Sequence, residues 1–399
     1  MMGNNDATPA LPSRLQSLPT RWLMLALMIA VAAPALAGKP RARDLGIPFD
    51  GTPGTYNAIT DVAGVTVGYS TVVADLPNNI AVRTGVTAIL PRGRATLNQP
   101  VFAGIFALNG NGEMTGSHWV EESGFLEGPV MLTNTHSVGV VRDAVIKYRV
   151  QQGAPDASGY WWSLPVVAET WDGELNDING FHVTPEHAVH AIDSATSGAI
   201  AEGNVGGGTG MICHEFKCGT GTSSRIVTVE GHRYAVGALV QANYGVRSEL
   251  RIAGVPVGQY LQDDLPKPVS KDNGSIIIVL ATDAPLLPTQ LKRLARRAAL
   301  GLARNGSYAG NGSGDLFIAF STANHGTGQH TSTDRISMLG NDELDTLFIA
   351  SVDSTEEAII NAMVAADTMT GTGGFRAVAI DHDALRVVLK KFGRLQPVK

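Results

Sequence analysis

The chain has 399 residues, 44% of them apolar and 17% charged, with 46 Gly, 20 Pro and only two Cys. The apolar share excludes a disordered chain, two Cys exclude a disulfide scaffold, and glycines without a three-residue period exclude collagen. Net charge is −6, and Lys and Arg are dispersed except in the helix-like stretch 292–304, so no basic stripe is offered to nucleic acid.

Residues 1–37 read as an export signal. Arg14 and Arg21 precede an apolar run over 22–33, and Ala35-Leu36-Ala37 gives the small-x-small pattern of a signal-peptidase site. The run is shorter than the roughly 20 apolar residues of a membrane span. Cleavage after Ala37 is therefore expected, with a mature chain from Gly38 that is soluble and periplasmic; a retained N-terminal anchor is the rival. Removing this segment takes away two Arg and one Asp and leaves −7.

Further along, segments 84–90, 130–134, 225–229, 234–243, 275–282 and 316–321 are rich in Val, Ile, Thr and Phe and predict strands. Helices fall between them. Periodicity predicts one over 138–151 and another over 356–367. Thr184-Pro185-Glu186 supplies an N-cap, an N1 proline and a first-turn acid for a helix to about 195. A fourth starts near Thr289, presents Leu291, Leu294, Ala295, Ala298 and Leu302 on one stripe, and stops at Asn305-Gly306. Strands and helices mixed along the whole chain argue α/β or α+β layers. No internal repeat is visible.

Cys213 and Cys218 have four residues between them; a local disulfide and two partly buried thiols are both open readings. His187 and His190 share a helix face, but no carboxylate ligand accompanies them, so exposed helix histidines are expected, and His325 and His330 read the same way. Gly206-Gly-Gly-Thr-Gly210 lacks the following Gly-Lys-Ser/Thr of a phosphate loop, which leaves a tight backbone turn. Gly-x-Ser-x-Gly, Ser-x-x-Lys and His-Glu-x-x-His are all absent. A polar, proline-containing stretch, 251–274, runs directly into the most apolar strand of the protein at Gly274-Ser275.

Gly274-Ser275 stands with Asn305-Gly-Ser-Tyr-Ala-Gly-Asn-Gly-Ser-Gly-Asp315 in a chain whose motifs span its mature length. These include Arg41-Ala-Arg-Asp-Leu-Gly-Ile-Pro-Phe-Asp50, Asn57-Ala-Ile-Thr-Asp-Val-Ala-Gly-Val65, Glu202-Gly-Asn-Val-Gly-Gly-Gly-Thr-Gly-Met211, Val240-Gln-Ala-Asn-Tyr-Gly245 and Ala281-Thr-Asp-Ala-Pro-Leu286. Through them the sequence resembles the DmpA-type aminopeptidases, the family of L-aminopeptidase D-Ala-esterase/amidases and β-peptidyl aminopeptidases. The resemblance implies a four-layer α/β/β/α sandwich like that of N-terminal-nucleophile hydrolases, assembled as a tetramer and needing no metal or organic cofactor. It implies a precursor that cuts itself between Gly274 and Ser275 into an α chain (38–274) and a β chain (275–399) of one globular unit. Substrates would be short peptides, amides and esters with a free N-terminus, with L-, D- and β-residues left open.

By the same resemblance Ser275 is the nucleophile, and Ser313 and Asp315 hydrogen-bond around it. Asn243 donates to the oxyanion and Glu169 binds the substrate's ammonium. The chemistry suits the residues: a freed α-amine has a pKa of roughly 7.7 to 8.0, so it can take the proton of its own hydroxyl without a histidine. One position departs from the pattern. Trp171 stands where the aminopeptidase/esterase branch has tyrosine, and an indole cannot accept a hydrogen bond. Two other readings remain: an autoprocessing acyltransferase of the ornithine acetyltransferase type, and a non-enzymatic periplasmic binding module.

Overall fold

The computed structural model describes residues 39–399 apart from 154–161, 264, 266–273, 329–332 and 398–399. The expected export signal, His330 and, in the stretch before Gly274, residues 264 and 266–273 lie outside the described residues. In chain order the strands are β1 (Thr66–Leu76), β2 (Ile80–Leu90), β3 (Val101–Gly110), β4 (Phe125–Leu126), β5 (Val130–Asn134), β6 (Val166–Thr170), β7 (Ile212–Cys213), β8 (Phe216–Lys217), β9 (Thr220–Val229), β10 (His232–Asn243), β11 (Ser275–Thr282), β12 (Gly314–Ser321), β13 (Met369–Thr370) and β14 (Arg376–Ala377). The α-helices are α1 (Ser117–Ser123), α2 (Val138–Gln151), α3 (Pro185–Asp193), α4 (Pro288–Arg304), α5 (Asp345–Val364) and α6 (His382–Lys391).

Two sheets dominate. One has the order β1-β2-β5-β6, the other β4-β3-β12-β11-β10-β9. Three apolar cores separate four layers. Val141, Ala144 and Val145 of α2 and Ala188 of α3 pack with Val86, Ala88 and Met131 on the outer face of the four-stranded sheet. Ile89, Leu132 and Ala168 meet Leu239, Ile277 and Ile318 between the sheets. Val240, Ile278 and Phe317 pack under Leu291 and Leu294 of α4 and Ile359 of α5. The expected four-layer α/β/β/α arrangement is the one observed.

Strand β11 explains its own sequence. Ile276, Ile278 and Leu280 enter the helix-side core while Ile277, Val279 and Ala281 enter the inter-sheet core. A central strand buried on both faces has no polar face to alternate with, so it reads as a continuous apolar run. Helix α4 begins at Pro288, whose fixed φ suits the first turn, and Gln290 Oε1 accepts the Leu287 N–H at 3.0 Å.

Helix α5 starts at Asp345, eleven residues before the predicted start at 356, and ends at Val364. Its polar residues Ser351, Ser354, Thr355, Glu357 and Asn361 are buried along with its apolar ones, so no exposed polar stripe marks the period. Close approach to β9 fixes part of this packing: a Cβ at Gly221 would lie 2.0 Å from the Ala358 carbonyl oxygen.

Of the two cysteine readings, the disulfide holds: Cys213 and Cys218 are joined across the β7–β8 hairpin, with Cα atoms 5.3 Å apart. The glycine run forms a buried 3₁₀ turn, Gly206–Gly208, whose Gly206 and Gly207 N–H groups donate to the Thr71 and Thr87 hydroxyls. His187 Nδ1 accepts the Thr184 N–H at the start of α3, while His190 and His325 are exposed.

Candidate active site

The strand register gathers Asn243, Ser275 and Asp315 at one end of the six-stranded sheet. Asn243, the last residue of β10, faces Ser275, the first of β11. Strand β12 runs parallel to β11 from the same end and pairs Asp315 with Ile276. On its other side Gly314 and Asp315 face Gly110 and Asn109 of β3. There Leu316 pairs with Ala107, skipping Leu108, a bulge of the kind that re-aims side chains beside functional sites.

Ser275 Oγ accepts the Gly314 N–H at 3.1 Å. Ser313 Oγ donates to Asp315 Oδ1 at 2.6 Å. These two side chains bond to each other, and the Gly314 N–H between them donates to Ser275 Oγ. The loop carrying them is held to the end of β3 and the residue just beyond it: Asn109 Nδ2 donates to the Gly310 carbonyl at 2.5 Å and Asn111 Nδ2 to the Gly312 carbonyl at 2.7 Å.

Asn243 is fixed from both sides. Its Oδ1 accepts the Ile212 N–H at 2.9 Å and its Nδ2 donates to the Trp171 carbonyl at 2.8 Å. An amide nitrogen carries two protons, so the residue paired with Ser275 has a second N–H to donate. Gly274 is required here by space: a Cβ on it would stand 1.9 Å from the Asn243 carbonyl oxygen.

Glu169 comes from the other sheet, opposite Thr133 of β5. Its Oε1 accepts the Glu113 N–H at 2.9 Å and its Oε2 the Thr135 hydroxyl. Gly112 lies against both this carboxylate and Gly314, since a Cβ on it would stand 3.3 Å from Glu169 Oε1 and from the Gly314 Cα. Burial pushes the Glu169 carboxyl upward, against the pull of the Thr135 and Glu113 donors. Gln241 ties the two sheets together just behind, donating to the Thr133 carbonyl at 2.9 Å and the Thr170 hydroxyl at 2.8 Å.

A cavity of about 360 Å³ opens beside these groups, lined by Trp171, Asp172, Glu174, Glu215, Asn243 and Gly274 among others. Burial lifts Asp172 to about 6. Glu174 is raised as well, by burial and then by the charge of Glu215.

The model of peptidase family S58 matches residues 57–377. The chain belongs to peptidase family S58. This S58 peptidase is 53% identical over 388 residues to the β-peptidyl aminopeptidase BapA of Sphingosinicella microcystinivorans, covering 92% of this chain and 96% of that one. It is 46% identical to the BapA of Sphingosinicella xenopeptidilytica, with 92% and 95% covered. Its fold matches the solved L-aminopeptidase D-Ala-esterase/amidase of Ochrobactrum anthropi, a prototype for the serine aminopeptidases and a variant of the Ntn hydrolase fold. That match has a TM-score of 0.85 at 52% identity, over 90% of this chain and all of that one. A Burkholderia sp. β-aminopeptidase follows with a TM-score of 0.81, 46% identity and the same coverage.

The S58 peptidase is thus an aminopeptidase on the layered fold expected from its sequence, and the binding-module and acyltransferase readings are set aside. Sequence reasoning missed Gly314, Asn109 and Asn111. The signal for the last two was present, since Asn109-Gly-Asn-Gly112 ends a strand pattern with turn residues. It also missed Glu174 and Glu215, which converge although they lie 41 positions apart, one in a loop and one in a hairpin.

Proposed function

We propose that this protein is an exported aminopeptidase that cuts itself between Gly274 and Ser275 and then works through the Ser275 thus exposed. The observation that carries the reading is the side-by-side placement of Asn243, Ser275 and Gly314 on three adjacent strands, with Ser275 Oγ held by the Gly314 N–H. In self-cleavage Ser275 Oγ attacks the Gly274 carbonyl carbon, the C–N bond to Ser275 breaks, and an ester links Gly274 to Oγ. Water hydrolyses the ester, leaving a Gly274 carboxylate and a free Ser275 amine.

Turnover repeats this order. The amine takes the Oγ proton, Oγ attacks the carbonyl of the substrate's first residue, and the proton passes to the departing amine. Water then releases that residue from the acyl-enzyme. The second Asn243 N–H faces the developing oxyanion, a contribution of roughly 10² to 10³ in rate for one such donor. Glu169, buried and short of solvent, is matched to an ammonium group, which confines cleavage to a free N-terminus. Ser313 and Asp315 hold the loop that carries the Gly314 N–H.

The Trp171 indole takes no part as an acceptor; its main-chain carbonyl orients Asn243. The names of the Sphingosinicella relatives support β-aminoacyl substrates, and that of the Ochrobactrum structure supports L-aminoacyl ones. The export signal supports a periplasmic location, and a tetramer is the assembly we expect. On a denaturing gel the wild type should give chains of roughly 25 and 13 kDa by residue count, the smaller beginning at Ser275. Ser275→Ala should remain one inactive chain. A single uncut chain in an active preparation, or activity in Ser275→Ala, overturns the reading.

A further inference from the structure

The cavity beside Gly274 is lined by more carboxyl groups than chemistry at Ser275 requires. Asp172, Glu174 and Glu215 all line it, and no Lys, Arg or His is among the described residues of its wall. Glu215 is 4% exposed; its Oε2 accepts the Arg247 N–H at 3.0 Å, while its Oε1 has no hydrogen-bond partner. The Arg247 guanidinium donates to the main-chain carbonyls of His214, Glu215, Leu261 and Asp263. A buried carboxylate oxygen without a donor is costly, and here it stands near a second carboxylate, Glu174, that its charge already disturbs.

The backbone is committed to this placement. His214 and Glu215 form the two-residue loop of the β7–β8 hairpin with φ of 50° and 60°, a geometry that favours Gly or Asn. The Cys213–Cys218 bond closes the hairpin around them.

Self-cleavage tells which part of a substrate meets the cavity. Gly274 is the acyl side of the bond before Ser275, and Gly274 lines the cavity. The acyl side of a substrate is the residue that is released. We propose that the cavity is a subsite for a cationic side chain on that residue, held between Glu174 and Glu215, so that lysyl-type N-termini are favoured over apolar ones of equal length. This rests on the reading of Ser275 as nucleophile.

The test compares kcat/KM of the processed enzyme for lysyl- and norleucyl-p-nitroanilide, and for the β³-homologues of both. Glu174→Gln and Glu215→Gln are measured alongside. The wild type should favour the lysyl substrate by about tenfold, and either variant should bring the ratio close to one. Equal or reversed preference in the wild type overturns the proposal. So does a variant that leaves the ratio unchanged, including one that slows both substrates in parallel, which would place these carboxylates at the common ammonium group. If the wild type is uncut and inactive on every substrate, the nucleophile reading falls and this one with it. Failure of the subsite alone leaves the cut and the norleucyl activity in place.

Discussion

At the scale of single residues, the site depends on how little room surrounds Ser275. A methyl group at position 274 would overlap the Asn243 carbonyl, so Gly274→Ala should push the Gly274–Ser275 bond out of register with the Gly314 N–H. We expect the full-length chain to persist on a denaturing gel while circular dichroism stays that of the wild type; normal processing would contradict this account. Glu169→Gln keeps an acceptor for the Glu113 N–H, turns its other end into a donor to the Thr135 hydroxyl oxygen, and removes the charge. It should lower kcat/KM for amino-terminal substrates about 10²-fold, mostly through KM, given the 2–5 kcal/mol that a desolvated charge pair is worth when one partner is lost. A fall confined to kcat would point to a role in the chemical step instead.

At the scale of elements, the distance between layers is set by a few contacts that admit no side chain. Gly221→Ala would drive a methyl group into the Ala358 carbonyl of α5, and overpacking of this kind costs about 1–3 kcal/mol. Thermal unfolding should show a lowered Tm, whereas an unchanged Tm would mean that α5 shifts freely on β9. Strands such as β5 and β11, and helices such as α3 and α4, were legible because their patterns are local: a continuous apolar run, or a clean stripe with a proline start. Helix α5 was only half legible, because its polar residues are buried too. Strands β1, β3 and β6 escaped notice, and with β3 went the reason that Asn109 and Asn111 matter. Ser275 and Asn243 could be named from sequence motifs, but their adjacency is a property of register, which no segment contains by itself.

At the scale of the whole molecule, acidity gathered in one place makes stability depend on pH. The Asp172 carboxyl lies at about 6 in the folded chain against an ordinary 3.8, so folding favours its protonated form. That contribution is complete below about pH 4 and is lost as pH rises through 6, a change on the order of 3 kcal/mol. Asp172→Asn should therefore gain Tm relative to wild type as the pH is raised from 4 to 7, and a difference independent of pH would show that Asp172 is charged throughout. Strand β11 carries a consequence of another sort. It lies third from the β9 edge of the six-stranded sheet, hydrogen-bonded on one side to β10 and on the other to β12. A chain severed just before Ser275 would keep β11 clasped by β10, from which it would no longer have a covalent path. Its architecture would then record a connectivity that has ceased to exist. Once melted, the two fragments would have to find each other by diffusion, so heat would erase in the mature enzyme what it only interrupts in the precursor.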